Sequence, residues 1–139
     1  MTSAADSAAA PTLRGDVALV DTYLQLCEDR EIDKASTFLD SEVRLEFPGN
    51  RVHSSLKELF SAAVSDYRWV RKHRNRYFEG TNGDDSVVVS IGSLYGVDLD
   101  GQRFDNVRYI DTFVIQDGLI KEQLVWNDLA KHGIGRKSE

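Results

Sequence analysis

From residue 107 the chain reads VRYIDTFVIQDG, a two-step alternation that ends in a tight-turn pair. Val107, Tyr109, Asp111, Phe113 and Ile115 share one face, so a carboxylate stands in the middle of an apolar stripe. The same period runs through the second half of the chain and predicts strands over about 71–79, 85–98, 102–116 and 119–127. Asn82-Gly83, Asp100-Gly101 and Asp117-Gly118 stand at the junctions, and such pairs tolerate the positive φ of short hairpin turns. An antiparallel meander follows.

The first half has the other period. Val17, Val20, Leu24 and Cys27, flanked by Leu19, Tyr23 and Leu26, make a wide helical stripe over 16–28, with Asp16 as its expected N-cap. A shorter helix over 31–39 buries Ile32, Ala35, Phe38 and Leu39. The alternating SEVRLEF then turns Val43, Leu45 and Phe47 inward until Pro48 and Gly49 stop the strand. Ser55 with Glu58 three residues on is a capping box, and Leu56, Leu59, Phe60, Ala63, Val64 and Tyr67 continue that third helix. Helix, helix, strand, helix and four hairpin strands is an α+β order, in which three helices against one face of a long twisted sheet form a cone with room for an apolar pocket.

Composition narrows the classes. At 139 residues the chain suits one domain, and a net charge of -6 argues against a nucleic-acid partner. The basic run RWVRKHRNR over 68–76 is better explained by a helix C-terminus followed by a strand with one solvated or subunit-facing side. Cys27 is the sole cysteine, which excludes an intramolecular disulfide and suits a reducing, cytoplasmic setting. The opening MTSAADSAAAPT lacks the pattern of a leader and reads as a disordered tail over 1–13; 14–130 is the expected domain, followed by a short tail over 131–139. No stretch is long and apolar enough for a membrane span, and the histidines and acids show no metal-ligand spacing.

With VDTYLQLCEDREIDKA in the first helix and YIDTFVIQDGLI leading into the last strand, the chain resembles the nuclear transport factor 2-like, or SnoaL-like, superfamily over about residues 14–130. That family includes ketosteroid isomerase, scytalone dehydratase, limonene epoxide hydrolase and polyketide cyclases. The resemblance implies a cystatin-like cone and a homodimer through the outer face of the sheet. By similarity to ketosteroid isomerase, Tyr23 and a protonated Asp111 would polarise a substrate oxygen. The proton-shuttling aspartate of that family falls on Phe47, which carries no proton, so the usual isomerase route loses its base. Asp128 in VWNDL matches a water-polarising aspartate of limonene epoxide hydrolase, whose partner residues have no counterpart here. Asp128, His53 or His73 is then left to move the proton, with Phe47, Tyr109, Phe113 and Trp126 lining the pocket.

Each assignment has a structural alternative. Burial makes Asp111 a candidate acid or donor, or a carboxylate paired with an Arg or Tyr of a neighbouring strand. Tyr23 doubles as a core residue, and Asp128 as a turn residue. The expected activity is cofactor-free isomerisation, dehydration or cyclisation of a small hydrophobic carbonyl or enol compound of steroid, terpenoid or polyketide type. The alternative is a non-catalytic ligand carrier or dimeric interaction module.

Overall fold

The computed structural model describes residues 13–135; apart from Leu13, the stretch expected to be an N-terminal tail lies outside the described residues. Helix α1, Gly15–Glu28, buries Val17, Val20, Tyr23 and Leu24, as its spacing requires. Its start departs from expectation. Arg14 occupies the N-cap without a side-chain bond, and Asp16 lies inside the first turn. There Asp16 accepts a 2.6 Å hydrogen bond from Ser86 Oγ, so it fastens the helix to the sheet instead of closing its end.

Helix α2, Ile32–Ser36, is shorter than its apolar pattern, because Leu39 already opens strand β1, Leu39–Phe47. A short strand β2, Arg51–His53, pairs antiparallel with β1 where only a loop was expected. Helix α3, Leu56–Ala63, starts on the predicted cap: Ser55 Oγ accepts from Glu58 N–H at 3.1 Å. The Glu58 carboxylate reaches back one residue further than a standard capping box, to Ser54 N–H at 3.3 Å.

The meander then runs through β3, Trp69–Asn82, β4, Asp85–Val97, β5, Arg103–Gln116, and β6, Leu119–Asn127. Six strands form one sheet in the order β2-β1-β6-β5-β4-β3. All neighbours are antiparallel except β1 and β6. Register slips interrupt the β3–β4, β4–β5 and β5–β6 ladders. Each inserted residue bends its strand, and together they curve the sheet around the helices.

Two apolar clusters fill the concave side. The larger joins Val20, Tyr23, Leu45, Leu56, Val88, Phe113 and Ile120; the smaller joins Leu94, Val107, Tyr109 and Ile134. Ile134 shows that packing extends into the segment expected to be a tail, after a 3-10 turn at Ala130–His132.

Candidate functional site

Between the two clusters lies a cavity of about 160 Å³. An apolar cavity of roughly 150 Å³ admits benzene, so this one has room for a ring-sized molecule. Tyr23, Leu24 and Cys27 of α1, Leu56, Leu59 and Phe60 of α3, and Val70, Leu94 and Val125 of the sheet supply much of its wall, which also takes in Glu28, Arg30, Arg51 and Asp66. Into that wall the sheet sets Lys72, Tyr109, Asp111 and Gln123.

Asp111 is fully buried, and neither carboxylate oxygen has a partner at full hydrogen-bond geometry, although Lys72 and the Gln123 amide lie near enough to act on it. Its neighbour is Lys72, whose Nζ lies 3.6 Å from Oδ2, near enough for an ion pair but beyond a hydrogen bond. Burial pushes the Asp111 carboxyl above its ordinary value, and Lys72 with Gln123 only partly offsets this. For Lys72, burial alone would lower the ammonium, but Asp111, Tyr109 and Tyr67 more than compensate and hold it above the ordinary lysine value. Lys72 therefore keeps its proton, and Asp111 is the member of the pair that titrates first.

Hydroxyl groups complete the polar wall. Tyr23 donates a 2.8 Å hydrogen bond to Gln123 Oε1, and burial, with Cys27 and Asp111 nearby, holds its phenol well above the usual range. It is a donor and never a phenolate at working pH. Burial likewise lifts the Cys27 thiol to about 11, which leaves it a poor nucleophile. Tyr109 shares a 2.9 Å hydrogen bond with Ser90, and its ring lies 5.2 Å from Lys72 Nζ, within cation–π range.

His53 also lines the cavity, with its side chain only 12% exposed. Its Nδ1 donates to Glu58 Oε1 at 3.1 Å, the orientation that leaves Nε2 as the basic nitrogen. Phe47 packs edge-on against the imidazole with ring centroids 6.5 Å apart. At the position where the resemblance expects a carboxylate base, this chain therefore places an aromatic ring against a carboxylate-supported histidine.

No family model and no curated protein matches the sequence. Solved structures match closely in shape. An NTF2-like protein of unknown function from Burkholderia pseudomallei superposes with a TM-score of 0.73 at 12% identity, covering 86% of this chain and 95% of its own. The chain has the nuclear transport factor 2-like fold. A provisionally named SnoaL-like polyketide cyclase from Shewanella putrefaciens gives 0.69 at 12% identity, covering 88% and 96%. TerC, crystallised with polyporic acid, gives 0.68 at 16% identity, covering 85% and 95%.

Not every expected site residue faces the cavity of this nuclear transport factor 2-like cone. Tyr23, Asp111, His53, Phe47 and Tyr109 do. Phe113 is on the inner face but lies in the larger cluster, edge-on to Tyr23 at 6.0 Å, and belongs to the core beneath the cavity. His73 points outward and stacks on Tyr95 at 4.3 Å. Trp126 and Asp128 do share a face, but it is the outer one, where Trp126 is 57% exposed and Asp128 pairs with Arg108 at 3.6 Å. The slip after Ile120 causes this correction, because it turns Gln123 and Val125 inward in place of Leu124 and Trp126.

Lys72 and Gln123 are the residues the pattern did not assign. Within the basic run, Lys72 shares its inward parity with Val70 and Arg74, while Arg71 and His73 face out. Arg74 is occupied elsewhere, bonded to Asp21 at 2.9 Å and Glu28 at 2.6 Å on α1. Among the described residues no cluster of His, Cys, Asp and Glu could hold a metal ion, and no helix is long and apolar enough to cross a membrane.

Proposed function

We propose that the cavity binds a small, mostly hydrophobic carbonyl or enol compound and moves a proton on it without a cofactor, as in an isomerase, dehydratase or cyclase. The observation that carries this reading is the buried Asp111, whose two oxygens are left without a full hydrogen bond while Lys72 stands 3.6 Å away at the same cavity. A polar pair left incompletely satisfied in an apolar chamber costs stability, and a ligand oxygen recovers that cost. Lys72 polarises the oxygen, Asp111 accepts or returns a proton, and His53, oriented by Glu58, takes the proton from carbon. Tyr23 positions Gln123 and closes the polar wall behind them. The likeness to a named polyketide cyclase supports this reading. The exposed cross-strand pair Ile110 and Trp126 on the outer face suits the homodimer surface that the resemblance implies.

The test uses an enolisable ketone of ring size, 2-indanone, in deuterated buffer, with α-proton exchange followed by NMR. The wild-type protein is expected to exceed the buffer rate, and His53→Ala to lose roughly a hundredfold, the scale of a removed general base. Exchange no faster than buffer contradicts the catalytic reading. One observation favours a second reading: Phe47 fills the family's base position with an aromatic ring, which suits a carrier. Indanone bound without exchange would establish that alternative.

A further inference from the structure

Most charged groups along the cavity wall have a partner of opposite sign. Lys72 stands 3.6 Å from Asp111, Arg51 lies 3.1 Å from Asp66, and the Glu28 carboxylate accepts a 2.6 Å hydrogen bond from Arg74. His53, on the same wall, is held by Glu58 at 3.1 Å. Arg30 is the exception, with no carboxylate partner among the described residues. One of its N–H groups donates to the Cys27 carbonyl at 2.8 Å, and its guanidinium carbon lies over Phe60, 4.4 Å from the ring centroid. A guanidinium has five N–H donors, so most of this one stays open. Arg30 also holds a backbone φ of 58° in the turn after α1, a region that costs a long side chain more than glycine or asparagine.

Tyr67 stands on the same wall. Tyr23 and Tyr109 are hydrogen-bonded to Gln123 and Ser90, whereas the Tyr67 hydroxyl has no such partner among the described residues. Burial lifts its phenol above the ordinary value, and the Lys72, Arg30 and Arg51 cations only partly offset this. Tyr67 therefore keeps its proton and is a donor. The Arg30 charge acts on both the Tyr67 hydroxyl and the Cys27 thiol, which puts the guanidinium beside them. Two donors that lack an acceptor thus meet at the open side of an apolar chamber.

We propose that Arg30 and Tyr67 form a carboxylate subsite at the mouth of the cavity, and that the ligand is a keto acid whose carboxylate lies remote from its ketone. This rests on the preceding reading of the cavity and adds a second polar group to its ligand. The guanidinium fork matches a carboxylate through two parallel N–H···O bonds, and the Tyr67 hydroxyl adds a third donor. Phe60 covers one face of the guanidinium and favours approach along its edge. Lys72 is the rival cation for the carboxylate, but it is engaged with Asp111, and an acid seated there would set two negative charges together in a buried site. The neighbouring carboxylates of Glu28 and Asp66 are held by Arg74 and Arg51, which leaves Arg30 to the ligand.

Titration calorimetry at neutral pH and low salt with 1-indanone, 3-oxoindane-1-carboxylate and its methyl ester tests this, because the ester matches the acid in bulk without its charge. The wild type is expected to bind the acid about tenfold more tightly than the ester, a margin that narrows in high salt. Arg30→Gln should lose that margin, so that acid and ester bind alike, and the ester's own binding shows that the variant folds. Tyr67→Phe should lose roughly threefold of the margin, the scale of one neutral donor. An acid held no more tightly than the ester by the wild type would overturn the proposal. A preference for the acid that survives Arg30→Gln would overturn it too, since the carboxylate then sits elsewhere. If indanone binds and the acid gains nothing, the subsite fails while the cavity stands; if none of the three binds, the reading of the cavity fails as well.

Discussion

Asp111 lies fully buried on the inner face of β5, with the Lys72 ammonium 3.6 Å away as its charged partner. Removing one member of such a pair strands the other, which typically costs about 3–5 kcal/mol, whereas replacing both with apolar groups is close to neutral or stabilising. Lys72→Met is therefore expected to lose about 3 kcal/mol at pH 8 in urea unfolding. The sign of the pH dependence follows from Asp111, whose folded pKa is raised by burial and rises further without Lys72. A raised folded pKa gives stability that is present below the ordinary carboxylate value and is lost as pH rises through the folded one. The deficit of Lys72→Met should accordingly shrink at pH 5, and Lys72→Met/Asp111→Leu should recover most of the loss at both pH values. Equal deficits at pH 5 and pH 8 would mean that removing Lys72 does not raise the folded Asp111 midpoint. The sequence exposed Asp111 but hid Lys72, because the two stand on strands separated by β4 and far apart along them. Leu94, the β4 partner of Lys72, pairs onward with Val107, four residues from Asp111. Only the length of the lysine stem lets its ammonium reach the carboxylate, and no periodicity encodes that.

At the scale of elements, hydrophobic period located the three α-helices of the described residues and the four long strands, and Ser55 with Glu58 marked the start of α3 as expected. What periodicity does not carry is the slip. One extra residue in β6 inverted the parity on which Trp126 and Asp128 were placed in the pocket, since a one-residue shift sends every side chain to the other face. Trp126 and Asp128 share one parity and Gln123 and Val125 the other, and it is the second set that faces in. β2 escaped because three residues are too short to show a period. The Asp117-Gly118 turn was legible, since both residues adopt positive φ, 53° and 76°, between the paired Gln116 and Leu119. Another slip in the sheet depends on Gly92, where a Cβ would collide with the His73 carbonyl of β3. Gly92→Ala must push the two strands apart at the point where β3 bends. A loss of about 2–3 kcal/mol is expected, within the range of overpacking, measured as a lower urea midpoint with an unchanged slope. A loss within a few tenths of a kcal/mol would show that this close approach does not shape the sheet.

For the whole molecule, the curved sheet brings α1, α3, β3, β5 and β6 to one chamber and sends Trp126, Asp128 and His73 to the opposite surface. The fold was readable from the order of elements, while the site was readable only in part, because its second half depends on strand slips and on one long side chain. On the proposed reading the buried pair, and not the outer-face carboxylate, meets the ligand. Carbon-13 NMR of the aspartate carboxyl groups across pH, with and without 2-indanone, tests it most directly. Asp111 is expected to titrate above the ordinary carboxylate range, and indanone to shift its signal while that of Asp128 stays in place. An Asp111 that titrates with the exposed carboxylates, or that does not respond to the ketone, would contradict it.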